Sequence, residues 1–212
     1  MIASRRGLLL GAASAWVLAA CQGGGAVNLG EDASDMSIGA ENAPVRVVEY
    51  ASLTCPHCEA FHAQVWDKLK ADYIDTGKVR FTFREFTTHP QEVALAGFQL
   101  ARCAANGDAN RYFAMIDVLF DQQRAIFAAM EQQQARNQLL TIAQTAGLSE
   151  EQFNTCITDP AGQTRVDATM KKGAEQLGVT GTPTIYINGV KQGADAQTYE
   201  GLAKAIDAQL NG

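Results

Sequence analysis

Two cysteines separated by two residues, Cys55-Pro56-His57-Cys58, constrain this chain more than any other feature, because thiols at that spacing close a disulfide without moving the backbone. Val45-Arg46-Val47-Val48-Glu49-Tyr50-Ala51 precedes them and is β-branched and apolar enough to read as a buried strand. After them Phe61, Val65 and Leu69, with Trp66 and Tyr73 alongside, trace the stripe of an amphipathic helix. Cys55 is therefore expected where a strand runs into a helix N-terminus. Free backbone N–H groups and the positive end of the helix dipole favour a thiolate there, lowering a cysteine pKa below its free value of about 8.5. Pro56 suits the first helical turn, where its missing N–H costs nothing. This pattern points to redox chemistry rather than packing. A zinc site needs a second cysteine pair, whereas Cys21, Cys103 and Cys156 are isolated, so no metal site is assigned. A bridge across so short a loop removes little unfolded-state entropy, which argues against a purely structural disulfide.

Residues 1–21 read as an export segment and are set apart from the fold. Arg5 and Arg6 form a positive n-region, and Gly7 to Ala20 is apolar but short for a bilayer span. Leu18-Ala19-Ala20-Cys21 resembles a bacterial lipobox, which implies lipidation of Cys21 and cleavage before it; the alternative is ordinary signal cleavage nearby. Ser4-Arg5-Arg6-Gly7-Leu8-Leu9 resembles a twin-arginine signal, and the export route stays open. Either way the chain is expected in an oxidising compartment, the bacterial periplasm, and in the lipobox reading it is held there by the lipidated Cys21. Residues 22–43, rich in Gly, Ser and acids, read as a flexible tether. Acidic side chains number 23 against 17 basic ones, without Lys/Arg clusters, which argues against a nucleic-acid partner. No second long apolar run appears, so no membrane span is expected beyond any lipid.

Along the remaining chain, Lys78 to Arg84 alternates like a second strand, parallel to the first because the crossover is long enough for it. From His89 to about Cys156 the pattern is helical, with stripes at Phe113, Ile116 and Phe120 and at Leu139, Leu140, Ile142, Ala143 and Ala146. Glu131-Gln132-Gln133-Gln134 reads as a solvated helix surface. Asn106-Gly107-Asp108 and Gly147-Leu148-Ser149 supply breaks. Val166, Met170, Ala174 and Leu177 form a helical row ending at Gly178. Asn188-Gly189 between two apolar runs signals a hairpin, and Leu202, Ile206 and Leu210 a last helix. The order is β-α-β, a helical insert, then α-β-β-α.

A Cys-x-x-Cys opening the first helix, Thr182-Pro183 before the strand Thr184-Ile185-Tyr186-Ile187, a hairpin and a final helix together resemble a thioredoxin fold. A helical insertion of this size and the Cys55-Pro56-His57-Cys58 core are similar to the DsbA family of exported bacterial thiol–disulfide oxidoreductases. The expected class is α/β, a thioredoxin fold with a helical-domain insertion: residues 44–88 and 161–212 form the thioredoxin-fold domain and residues 89–160 the inserted helical domain. The resemblance implies that Cys55 attacks and Cys58 resolves, that Pro183 is cis beside them, and that the Thr182 backbone is left free to pair with a substrate strand. Glu49 matches an acid that relays the Cys58 proton in that family; Lys78 is its candidate partner, and the alternative is an edge position facing water. His57 either adds positive charge near Cys55 or is an exposed spacer. His62 is placed on the exposed side of the first helix, and neither it nor His89 is given a role. Cys103 and Cys156 are either a structural disulfide closing a loop of about 50 residues or two buried free thiols.

The resemblance implies a thiol oxidase without a cofactor, acting on unfolded or reduced exported proteins with free cysteines and recycled by a membrane redox partner of DsbB type. No N-terminal dimerisation domain precedes Val45, so a monomer is expected. Two other readings remain: an isomerase or reductase on the same scaffold, suggested by Thr before Pro183, and a lipid-tethered metallochaperone carrying a soft ion on the two thiols.

Overall fold

The computed structural model describes residues 26–212, so the export segment and Cys21 lie outside the described residues. A five-stranded mixed sheet runs in the order β1-β3-β2-β4-β5, with β1 (Met36–Ile38), β2 (Val45–Ala51), β3 (Val79–Glu85), β4 (Thr184–Ile187) and β5 (Val190–Lys191). Only β2 and β3 pair in parallel, joined by a helical crossover; β1, β4 and β5 run antiparallel to their neighbours. The crossover starts as α1 (Pro56–Phe61) and passes through a π-helical stretch (His62–Trp66), α2 (Asp67–Leu69) and a second π-helical stretch (Lys70–Ile74). Alternation along β2 sends Val45, Val47, Glu49 and Ala51 to the face covered by this crossover and the insert, and Val48 and Tyr50 to the other, where Tyr50 meets Val179 and Tyr186.

The insert comprises α3 (Gln91–Ala105), α4 (Ala109–Asp121), α5 (Gln123–Glu131), α6 (Ala135–Thr145) and α7 (Glu150–Ile157). Asn106 at φ 46° and Gly107 at φ 85° end α3, and the Asp108 carboxylate caps α4 by accepting from Arg111 N–H. Ser149 and Gln152 form a capping box at the start of α7. Helix α8 (Pro160–Gln176) and helix α9 (Tyr199–Leu210) flank the hairpin, completing the α-β-β-α tail. This is the arrangement of a thioredoxin fold carrying a helical insertion.

Cys103 on α3 and Cys156 on α7 form a disulfide with Cα atoms 5.9 Å apart. Closing a loop over a separation of 53 residues, it restrains the unfolded chain. Replacing both cysteines with serine is expected to lower unfolding free energy by about 2–4 kcal/mol, read from denaturant midpoints under oxidising conditions. Two free thiols in unfolded, unreduced protein with Cys55–Cys58 oxidised would contradict the bridge.

Three expectations change. Residues 22–43 are not a free tether from residue 26 onward: β1 pairs with β3, Glu31 accepts from Arg46 and Arg80, and Asp35 from the buried Arg84. Acid-rich composition hid this, because these acids pair with arginines on the sheet. Gln132–Gln134 are exposed but form the turn between α5 and α6, with Gln133 at φ 58°. Ala174 is exposed and Gly173 is buried in its place, since a Cβ on Gly173 would meet the Tyr50 ring at 2.9 Å. At the end of β3, buried Glu85 joins sheet to helices: it accepts from Arg102 Nε on α3 (2.7 Å) and Tyr112 Oη on α4 (3.0 Å), with Arg165 Nε of α8 3.7 Å away.

Candidate active site

Strand β2 delivers the chain into a tight loop, Ser52–Thr54, before Cys55 begins α1 as its N-cap, with Pro56 at the first helical position. The loop is buried, so its polar groups need partners. Cys55 N–H donates to Ser52 O (3.1 Å), and Ser52 Oγ accepts from Thr88 N–H (3.0 Å) and Thr88 Oγ1 (2.9 Å). From α5, the buried Gln123 amide donates to Leu53 O (2.9 Å) and Cys55 O (3.2 Å). The insert thereby fixes the backbone that carries Cys55.

Both cysteines are thiols in this structure, and their environments differ. Cys55 retains 7% exposure; Cys58, one turn inside, has none. The Cys58 thiol holds the Cys55 thiolate foremost; burial opposes it, and the otherwise unpartnered Thr182 hydroxyl and the backbone N–H groups of Cys58 and His57 add to it, lowering the Cys55 pKa to about 5. In its protonated form the Cys55 thiol donates to Thr182 O at 3.2 Å. Burial pushes the Cys58 thiol well up, helped by Cys55 and the charge of Glu49, although Ser52 N–H donates to its sulfur at 3.5 Å. The Thr182–Pro183 bond is cis, as is His89–Pro90. The His57 side chain is exposed, so what it brings to the Cys55 sulfur is its backbone N–H.

Glu49 lies fully buried at the centre of the sheet, opposite Phe83 and Ile185, not at an edge facing water. Lys78 is not its partner, since its ammonium donates to Asp72 O and sits over the Tyr73 ring. The partner is His62, whose Nε2 is 3.5 Å from a Glu49 oxygen. His62 is buried rather than exposed, stacked on Phe120 at 4.2 Å between ring centroids, with Asp117 3.6 Å from its Nδ1. Burial acts against the imidazolium, but Asp117 and Glu49 outweigh it and push the His62 pKa up to about 9. The π-helical stretch explains the misplacement: wider turns shift the helical phase, so Phe61 and His62 both face inward. Its signal in the sequence was slight, a histidine four residues before Trp66 on the apolar stripe.

A family model described as thioredoxin matches residues 31–208. The chain belongs to the thioredoxin family. Among solved structures of that fold, Wolbachia pipientis alpha-DsbA1 superposes with a TM-score of 0.78 at 28% identity, covering 86% of this chain and 94% of that one. A Rickettsia prowazekii relative, provisionally named a protein-disulfide oxidoreductase, is 31% identical over 180 residues, 85% of this chain. This thioredoxin-family chain spans 63% of that relative's length. Disulfide bond formation protein D of Bacillus subtilis is 27% identical over 185 residues, 82% of this chain and 77% of that one.

Proposed function

We propose that this protein is an exported thiol–disulfide oxidoreductase that donates the Cys55–Cys58 disulfide to proteins with free cysteines. The observation that carries the reading is the unequal environment of the pair: a thiolate-stabilising site at Cys55 and a buried, thiol-favouring site at Cys58. A substrate thiolate attacks the Cys55 sulfur, and Cys58 leaves. A second substrate thiol then attacks the mixed disulfide at the substrate sulfur and displaces the Cys55 thiolate, a good leaving group because its pKa is low. Two electrons pass from substrate to the pair. Thr182 offers backbone to a substrate strand beside Cys55, a role supported by its carbonyl meeting the Cys55 thiol.

Names of the relatives support the chemistry, and none of the described helices is long and apolar enough to cross a membrane. In this reading the chain works in the periplasm as a monomer, anchored through lipidated Cys21, with a membrane oxidant of DsbB type restoring the disulfide. Thr before Pro183 favours the second reading, an isomerase or reductase.

The reduction potential separates them. Stabilising the Cys55 thiolate favours the reduced form, so equilibration with glutathione is expected to give a value more oxidising than about −200 mV. The folded Cys55 pKa is depressed, so this preference is lost as pH falls through about 5, and reduced and oxidised melting temperatures are expected to converge there. A potential near −270 mV, about that of thioredoxin, would reverse the direction of electron flow.

A further inference from the structure

Glu49, His62 and Asp117 form a row of ionisable side chains leading from beneath Cys58 to the surface. Their side-chain exposures rise along it, 0%, 4% and 39%, and the gaps are 3.5 and 3.6 Å. Both Glu49 oxygens, both His62 nitrogens and Asp117 Oδ1 lack a hydrogen-bond partner among the described residues, although buried polar groups are rarely left so. Proton-transfer contacts are often long in a resting site and tighten during reaction. Beyond His62 lies a cavity of about 250 Å3 whose other ionisable lining groups, Glu59 of α1, Asp67 of α2 and Asp117 and Asp121 of α4, are all acids. Trp66 Nε1 donates to Asp117 Oδ2 at 3.1 Å, leaving Oδ1 turned to His62. Phe83 of β3 and Phe120 of α4 pack on the imidazole and give it no competing polar contact.

We propose that His62 and Asp117 conduct protons between solvent and Glu49, and so set the protonation of Cys58 during exchange. The inference rests on the reading of Cys55–Cys58 as an exchanging disulfide. When the substrate thiolate bonds to Cys55 sulfur, the Cys55–Cys58 bond breaks and its electron pair leaves on Cys58. The His62 imidazolium gives a proton to the Glu49 carboxylate, Glu49 passes it on to that sulfur, and solvent restores His62 through Asp117. One proton enters and each relay member ends as it began; re-oxidation runs the path outward. His62 is an imidazolium at neutral pH, and the stability its charge adds is complete below 6.5 and lost as pH rises through about 9.

The test is single-turnover exchange between the oxidised protein and a dithiol peptide, followed by stopped flow from pH 5 to 9 in H2O and D2O. His62→Gln is expected to slow the step about tenfold or more at pH 7, to abolish the wild-type solvent isotope effect and to leave the pH midpoint of Cys55 alkylation unchanged. Asp117→Asn, at a half-exposed position, is expected to slow it severalfold and to lower the His62 titration midpoint seen by NMR. Rates within twofold of wild type with an unchanged pH profile in both variants would overturn the relay. Should His62→Gln fail to fold, Asp117→Asn alone decides on the same criteria. A wild-type protein that does not exchange with the peptide at all would instead refute the proposed function.

Discussion

Replacing Cys55 with serine is expected to reduce disulfide transfer to the uncatalysed background, a loss on the order of 10³-fold or more. With a pKa of about 5, Cys55 is almost wholly thiolate at pH 7, against a few per cent for an ordinary cysteine. Among the described residues no other thiol can substitute: Cys58 is fully buried, and Cys103 and Cys156 are bonded to each other. The companion change Cys58→Ser is expected to behave differently. It leaves the Cys55 thiolate able to attack a disulfide-bonded substrate, displacing one substrate thiolate, but removes the neighbouring thiol that would release the bound one, so covalent adducts accumulate and show on non-reducing gels. Transfer surviving in Cys55→Ser, or adducts lost from Cys58→Ser, would contradict the assigned order of attack.

The largest expected effect on stability belongs to Glu85. Its carboxylate, 1% exposed, is held by Arg102 and Tyr112, with Arg165 close by. Glu85→Ala would leave two guanidinium groups and a phenol facing a space without compensating charge. Removing one partner of a buried pair costs about 3–5 kcal/mol, which for a domain of this size is a fall of about 10 °C in Tm. A chemical denaturation series is the direct check. Replacing Glu85 and Arg102 together by Leu and Met should recover part of the loss, because charge and countercharge then leave together. A Glu85→Ala loss under about 1 kcal/mol would mean that the cluster is solvated and does not brace the insert.

Much of this architecture was open to a reader of the residues. The β-branched run at Val45–Ala51, the apolar spacing after Cys58 and the Asn188-Gly189 turn each have one natural solution, and the observed elements follow them. Short or paired features were less visible. Strand β1 spans three residues, too few for a periodicity, and owes its place to pairing with Phe81–Phe83. The acids of residues 31–35 look like a solvated linker until Arg46, Arg80 and Arg84 are placed beside them. At the site, the cysteine pair and the Thr182–Pro183 segment could be located from the chain alone. The floor beneath them could not, because Asp117 and Gln123 arrive from helices far along the sequence.

Both borders of the sheet are very short, three residues in β1 and two in β5. A long unpaired border recruits any extended polypeptide that meets it. A protein whose proposed clients are unfolded chains meets many such polypeptides, and this one offers them almost no lateral template. In the proposed function, encounters are thereby left to the backbone beside Cys55, where capture would lead to chemistry rather than to co-aggregation.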